Sequence, residues 1–106
     1  MATSADLRRL ALSLEGTTEA AHFDRTAFRA RRIYVTLAAD GETANFMFAP
    51  DQQEFKCLLA PRAFSPVPNA WGRRGATTAI LSQLTIAELE DALRLAWTRA
   101  ASKNPR

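Results

Sequence analysis

Cysteine and histidine each occur once in the 106 residues, and lysine only twice. Cys57 alone can neither close an internal disulfide nor build a multi-thiolate metal site. His22 alone excludes a multi-histidine centre. No apolar run approaches the ~20 residues of a membrane-spanning helix. The N-terminal stretch reaches Asp6 without an apolar core, so it does not read as a secretory signal. The expected setting is a reducing cytoplasm, with no membrane association. No glycine pattern forms a phosphate loop, because Gly72 and Gly75 bracket Arg73 and Arg74 ahead of a strand pattern rather than a helix. No serine sits in a nucleophile elbow.

What is present is apolar residue in ordinary globular proportion, 47%, enough to rule out disorder. The length suits one domain spanning residues 1–106. Arginine supplies 12 of the 14 cations, for a net charge of +3. Its planar fork matches phosphate and carboxylate, although arginine-rich codon usage explains the same bias.

Thr3 and Asp6 form a capping box ahead of Leu7, Leu10, Ala11 and Leu14, which predicts a helix ending near Glu15. Residues 17–25 show no period and read as a loop. Period two begins at Thr26, breaks at Arg31-Arg32, and resumes as Ile33, Val35 and Leu37 against Tyr34 and Thr36. The first three residues are expected to face the helices, unless a bulge swaps the faces. Asp40-Gly41 signals a hairpin, followed by a strand from Thr43 to Phe48. Pro50 opens a short helix whose buried side is expected at Phe55, Leu58 and Leu59, and Pro61 closes it. A short edge strand lies within 62–67, a loop spans 69–75, and a strand covers Ala76 to Leu81. Thr85 and Glu88 cap a final helix with its stripe at Ile86, Leu89, Leu93, Ala96, Trp97 and Ala100. The tail from Ser102 to Arg106 is expected to fray.

The order α-β-β-β-α-β-β-α predicts a two-layer α+β domain: one mainly antiparallel sheet of five strands, with three helices. The expected core is Leu10, Leu14, Phe28, Ile33, Val35, Phe46, Phe48, Leu58, Ile80, Leu89, Leu93 and Trp97.

Catalytic chemistry finds few parts. His22 has Asp24 near in sequence but no nucleophile to activate. Cys57 reads as a structural cysteine. Glu88, Glu90 and Asp91 suit the start of a helix, where the dipole favours acids. No catalytic residue, metal or cofactor is expected. The arginine pairs are the stronger feature. Arg31-Arg32 and Arg73-Arg74 each fall at the tip between two strands, with Trp71 beside the second. Two readings stand: cationic tips straddling a phosphate backbone with Trp71 as a stacking residue, or ordinary solvated turns with Trp71 covering a core edge.

The stretch from His22 to Arg29 (HFDRTAFR), then Ile33-Tyr34-Val35, Gly72-Arg73-Arg74-Gly75, and Asp91-Ala92-Leu93 through Trp97, resembles the MmcQ/YjbR family. That resemblance implies an α-β3-α-β2-α domain related to the CyaY-like (frataxin-like) and secretion-chaperone-like folds. It also implies a "double wing" of hairpins associated by analogy with DNA binding, in a family for which no enzymatic activity is established as a whole. The chain departs from the family in carrying Arg31-Arg32 where Gly-Lys is usual, and Ala76 where a Trp is usual. An iron role by analogy with frataxin is rejected, because the first helix carries only Asp6 and Glu15. The expected function is weak DNA binding by a monomer through Arg31, Arg32, Arg73 and Arg74, with Arg25, Arg29 and Trp71 flanking. The alternative is a non-catalytic protein-interaction module using an exposed sheet face or edge.

Overall fold

The computed structural model describes residues 1–102. Apart from Ser102, the expected fraying tail lies outside the described residues. Thr3 and Asp6 form the capping box of α1 (Ser4–Leu12). Five strands and two helices then precede the last strand: β1 (Thr18–His22), β2 (Arg25–Arg29), β3 (Ile33–Leu37), β4 (Thr43–Met47), α2 (Pro50–Leu59), β5 (Phe64–Pro66) and α3 (Ala70–Arg73). After β6 (Ala76–Ile80) comes a short 3-10 turn, Leu81–Gln83, and then α4 (Ile86–Ala101), capped by Thr85 and Glu88.

The strands form one sheet in the order β1-β2-β3-β4-β6-β5, antiparallel throughout. Alternation sends Phe28, Val35 and Phe46 to the same face, where they lie opposite one another across three strands. Thr77 and Ala79 continue that face on β6. Leu7 and Ala11 of α1, and Leu89, Leu93 and Ala96 of α4, cover it and are fully buried. Phe46 stacks on Phe48 at 5.4 Å, and Phe64 packs edge-on against Phe46 at 6.5 Å. The result is a two-layer α+β domain.

Several expectations are corrected. The sheet has six strands rather than five, and there are four α-helices rather than three. Residues 18–22, expected as loop, form β1. This edge strand is largely solvated on both sides, so it carries no apolar alternation to reveal it. Arg8 of α1 pairs with Glu19 on β1 and holds its carboxyl below the usual carboxylate range. The loop expected at 69–75 contains the helical turn α3.

The face choice on β3 is also revised. Phe28 pairs with Val35 but Arg29 pairs with Ile33, so Tyr34 is an extra residue in the ladder. Both Tyr34 and Val35 are consequently buried beneath the helices. The Tyr34 hydroxyl donates to the Ala11 carbonyl at 3.3 Å and shares a 2.8 Å hydrogen bond with Thr17. Ile33 is displaced to the opposite face and is only partly buried.

The buried side of α2 is reversed. Phe55, Leu58 and Leu59 are 60%, 77% and 66% exposed, whereas Lys56 is buried. The Lys56 ammonium lies 5.8 Å from the centre of the Phe64 ring and pairs with Asp91 of α4, while Gln53 donates to the carbonyls of Gly72 and Ala76. These polar ties fix the roll of a ten-residue helix that its apolar residues alone would have turned the other way. Ile80, also expected inside, is 42% exposed because it sits opposite Thr43 on the face away from the helices.

Candidate nucleic-acid interface

Chain reversal along an antiparallel ladder decides which turns share an end. The register sets Arg29, Ile33, Met47, Ala76 and Pro66 at one end of the sheet. The β2–β3 turn with Arg31-Arg32 and the β5–β6 connection with Arg73-Arg74 therefore emerge at that same end. Three strand spacings separate them, roughly 14 Å.

The second of these turns is held tightly. Pro66 and Pro68 end β5, and the Asn69 side chain caps α3 by accepting from the Trp71 amide at 2.8 Å. At Gly72 a Cβ would come within 1.7 Å of the Val67 carbonyl oxygen. Gly75 has φ +114, and a Cβ there would meet the Phe48 carbonyl oxygen at 2.1 Å. Both positions thus require glycine. Between them Arg73 and Arg74 are exposed, and the Arg74 guanidinium lies 5.5 Å from the centre of the exposed Trp71 ring.

The first turn divides its arginines. Arg31 is exposed; its carbonyl accepts from Arg29 at 3.2 Å. Arg32, expected as a free contact, donates at 2.7 Å to the Arg99 carbonyl in the last turn of α4. There it satisfies a helix C-terminus, where a cation is favoured. Arg25 lies apart from this end: it starts β2 at the far end of the strand and donates to Thr36 Oγ1 at 2.8 Å and to the Thr36 carbonyl at 3.2 Å. The end-on cationic group is accordingly Arg29, Arg31, Arg73 and Arg74.

A trough of about 600 Å³ crosses the face away from the helices. Thr36, Asn45 and Met47 lie along it, Asn45 accepting from Thr78 at 2.9 Å. Trp71 and Asn69 stand at one side and the His22-Phe23-Asp24 hairpin tip at the other. Phe23 is 94% exposed with φ +58, a left-handed backbone rare for a bulky side chain, and its ring meets His22 edge-on at 4.9 Å. The sequence reading found Trp71 and Arg25 but missed the rest of the trough. Only the polar half of the β3 and β4 alternation, Thr36 and Asn45, signalled it.

Burial pushes the Cys57 thiol up, away from a reactive thiolate. Among the described residues, no three His, Cys, Asp or Glu side chains group as metal ligands, and no helix is long and apolar enough to cross a membrane.

No protein-family model matches the chain, and no curated protein does. Among solved structures, the crystal structure of the Deinococcus radiodurans protein DR2400, a DUF419 domain, is similar with a TM-score of 0.76. The two are 20% identical, over 91% of this chain and 76% of that one. Similarity at that identity speaks for architecture alone, and this chain shares the α+β fold of the DUF419 domain of DR2400.

Proposed function

We propose that this domain binds nucleic acid weakly and with little sequence preference, across the end of the sheet that carries both arginine turns. The observation behind this is the placement of Arg31 and of Arg73-Arg74 at one end, exposed and without an acidic partner among the described residues. Two cationic tips roughly 14 Å apart reach separate phosphates, release counterions, and need no base-reading helix. Trp71, preorganised under Arg74, offers a ring face for stacking. Arg29 flanks the contact, Arg32 buttresses its turn through α4, and Arg25 shapes the trough instead. No catalytic step and no cofactor is part of this reading.

The second reading, a protein-interaction module, draws on the largely apolar trough and the exposed Phe23. It places the partner on the open sheet face rather than on the arginine end.

Titration of a labelled duplex by fluorescence anisotropy separates the two. With three or four phosphate contacts, affinity should be no tighter than about micromolar and should fall about 40- to 150-fold between ~50 and ~200 mM salt. Arg73→Ala/Arg74→Ala should make the log–log salt slope shallower by about two, while Arg25→Ala leaves it unchanged. Absence of binding at low salt contradicts the proposal and favours the second reading. A slope unaltered by the double substitution also contradicts it.

A further inference from the structure

The outward side of α2 is apolar where a surface helix is ordinarily polar. Phe55, Leu58 and Leu59 project from it. At 60%, 77% and 66% exposure these three side chains present about 400 Å² of apolar surface, the size of patch that marks an interaction site. The charges at the two ends of the stripe differ in sign. Asp51 and Glu54 occupy the N-terminal end, while Arg62 follows just beyond the C-cap Ala60. Neither Glu54 nor Arg62 has an ionic partner among the described residues.

We propose that α2 is a self-association surface, on which a second copy of this chain docks its own α2 in antiparallel orientation about a two-fold axis. Spacings of four and three residues put positions 51, 55 and 58 nearly in line on α2, and Arg62 follows in the turn just beyond the C-cap Ala60. Antiparallel pairing about the midpoint between positions 55 and 58 sets Phe55 of one copy against Leu58 of the other, and brings the acidic end with Asp51 and Glu54 toward the Arg62 end of the second copy. Each contact occurs twice, as an isologous interface requires. A parallel pairing would instead set acid against acid, so the charge pattern selects this orientation and this partner. Two such patches bury about 800 Å² of apolar surface, at the small end of specific interfaces and in keeping with a weak dimer.

The test is sedimentation equilibrium on the full chain from about 1 to 500 µM. The expected mass rises with concentration from 11.7 kDa toward twice that value. Leu58→Glu should remain monomeric throughout, with an unchanged far-UV spectrum and melting temperature, since its side chain is exposed. Leu59→Lys gives the same readout through a second position. Asp51→Arg and Arg62→Asp should each weaken association about tenfold, and the two together should restore it to within about threefold of the wild type. A wild-type chain that stays at 11.7 kDa over the whole range overturns the proposal. So does a dimer indifferent to both Leu58→Glu and Leu59→Lys, or a double charge exchange no stronger than the single ones.

Discussion

Gly75→Ala is expected to destabilise the domain by about 3–5 kcal/mol, lowering the melting temperature by more than ~10 °C. Two effects combine at this position. The backbone has φ +114, where an L side chain is strained, and the new Cβ would overlap the Phe48 carbonyl oxygen at 2.1 Å. That oxygen belongs to the backbone between β4 and α2, so it cannot swing away as a side-chain end would. Relief requires the turn itself to shift, carrying Arg73, Arg74 and Trp71 with it. Nucleic-acid affinity should therefore fall at least as far as in Arg73→Ala/Arg74→Ala. Gly16→Ala is the comparison: Gly16 also has positive φ, +76, but no atom lies within 4 Å of its would-be Cβ. It should cost only about 1 kcal/mol. Thermal unfolding of the two variants checks the account, and equal shifts would contradict it.

Phe46→Ala is expected to cost about 3–5 kcal/mol, a large share of the stability of a domain this size. Phe46 is fully buried at the centre of the sheet, stacked on Phe48 and met edge-on by Phe64. Loss of the ring leaves a cavity bounded by strands on both sides, which cannot collapse to fill it. Ile80→Ala, on the exposed face, should cost less than about 1 kcal/mol. Chemical denaturation of both variants distinguishes them through the midpoint at constant slope.

That pair of residues also shows where the sequence was legible. Both sit in strands, and both are large and apolar. What separates them is which face of the strand receives the helices, and for β6 that depends on its pairing with β4, more than thirty residues upstream. Elements with strong local signals were readable: the capping boxes at Thr3 and Thr85, and the Phe46/Phe48 alternation. Elements whose reasons are tertiary were not. The edge strand β1 has no buried face to write a pattern. The roll of α2 is set by Lys56 with Asp91 and by Gln53 with the Gly72 and Ala76 carbonyls, contacts that span 19 to 35 positions. The extra residue at Tyr34 moves Ile33 across the sheet without altering composition.

The candidate site divides in the same way. Arg31, Arg73, Arg74 and Trp71 were found because adjacent arginines beside turn residues are visible in one dimension. The capture of Arg32 by the Arg99 carbonyl, 67 positions away, is not. Nor is the trough, whose sides come from the β1–β2 tip and from α3, brought together only by the strand order. Phe23 carries no local signal that it stands exposed in a left-handed backbone.

Amide chemical-shift mapping of the isotope-labelled chain with a short duplex at low salt tests the central claim most directly. The account predicts that shifts concentrate at residues 29–32 and 69–76, the two turns at one end of the sheet, with the Trp71 indole among the largest. Residues of α2 and the hairpin tip at 22–24 should be little affected, and the pattern should fade as salt is raised. Shifts centred on the open face around Thr36, Asn45 and Phe23, with the arginine turns silent, would contradict it.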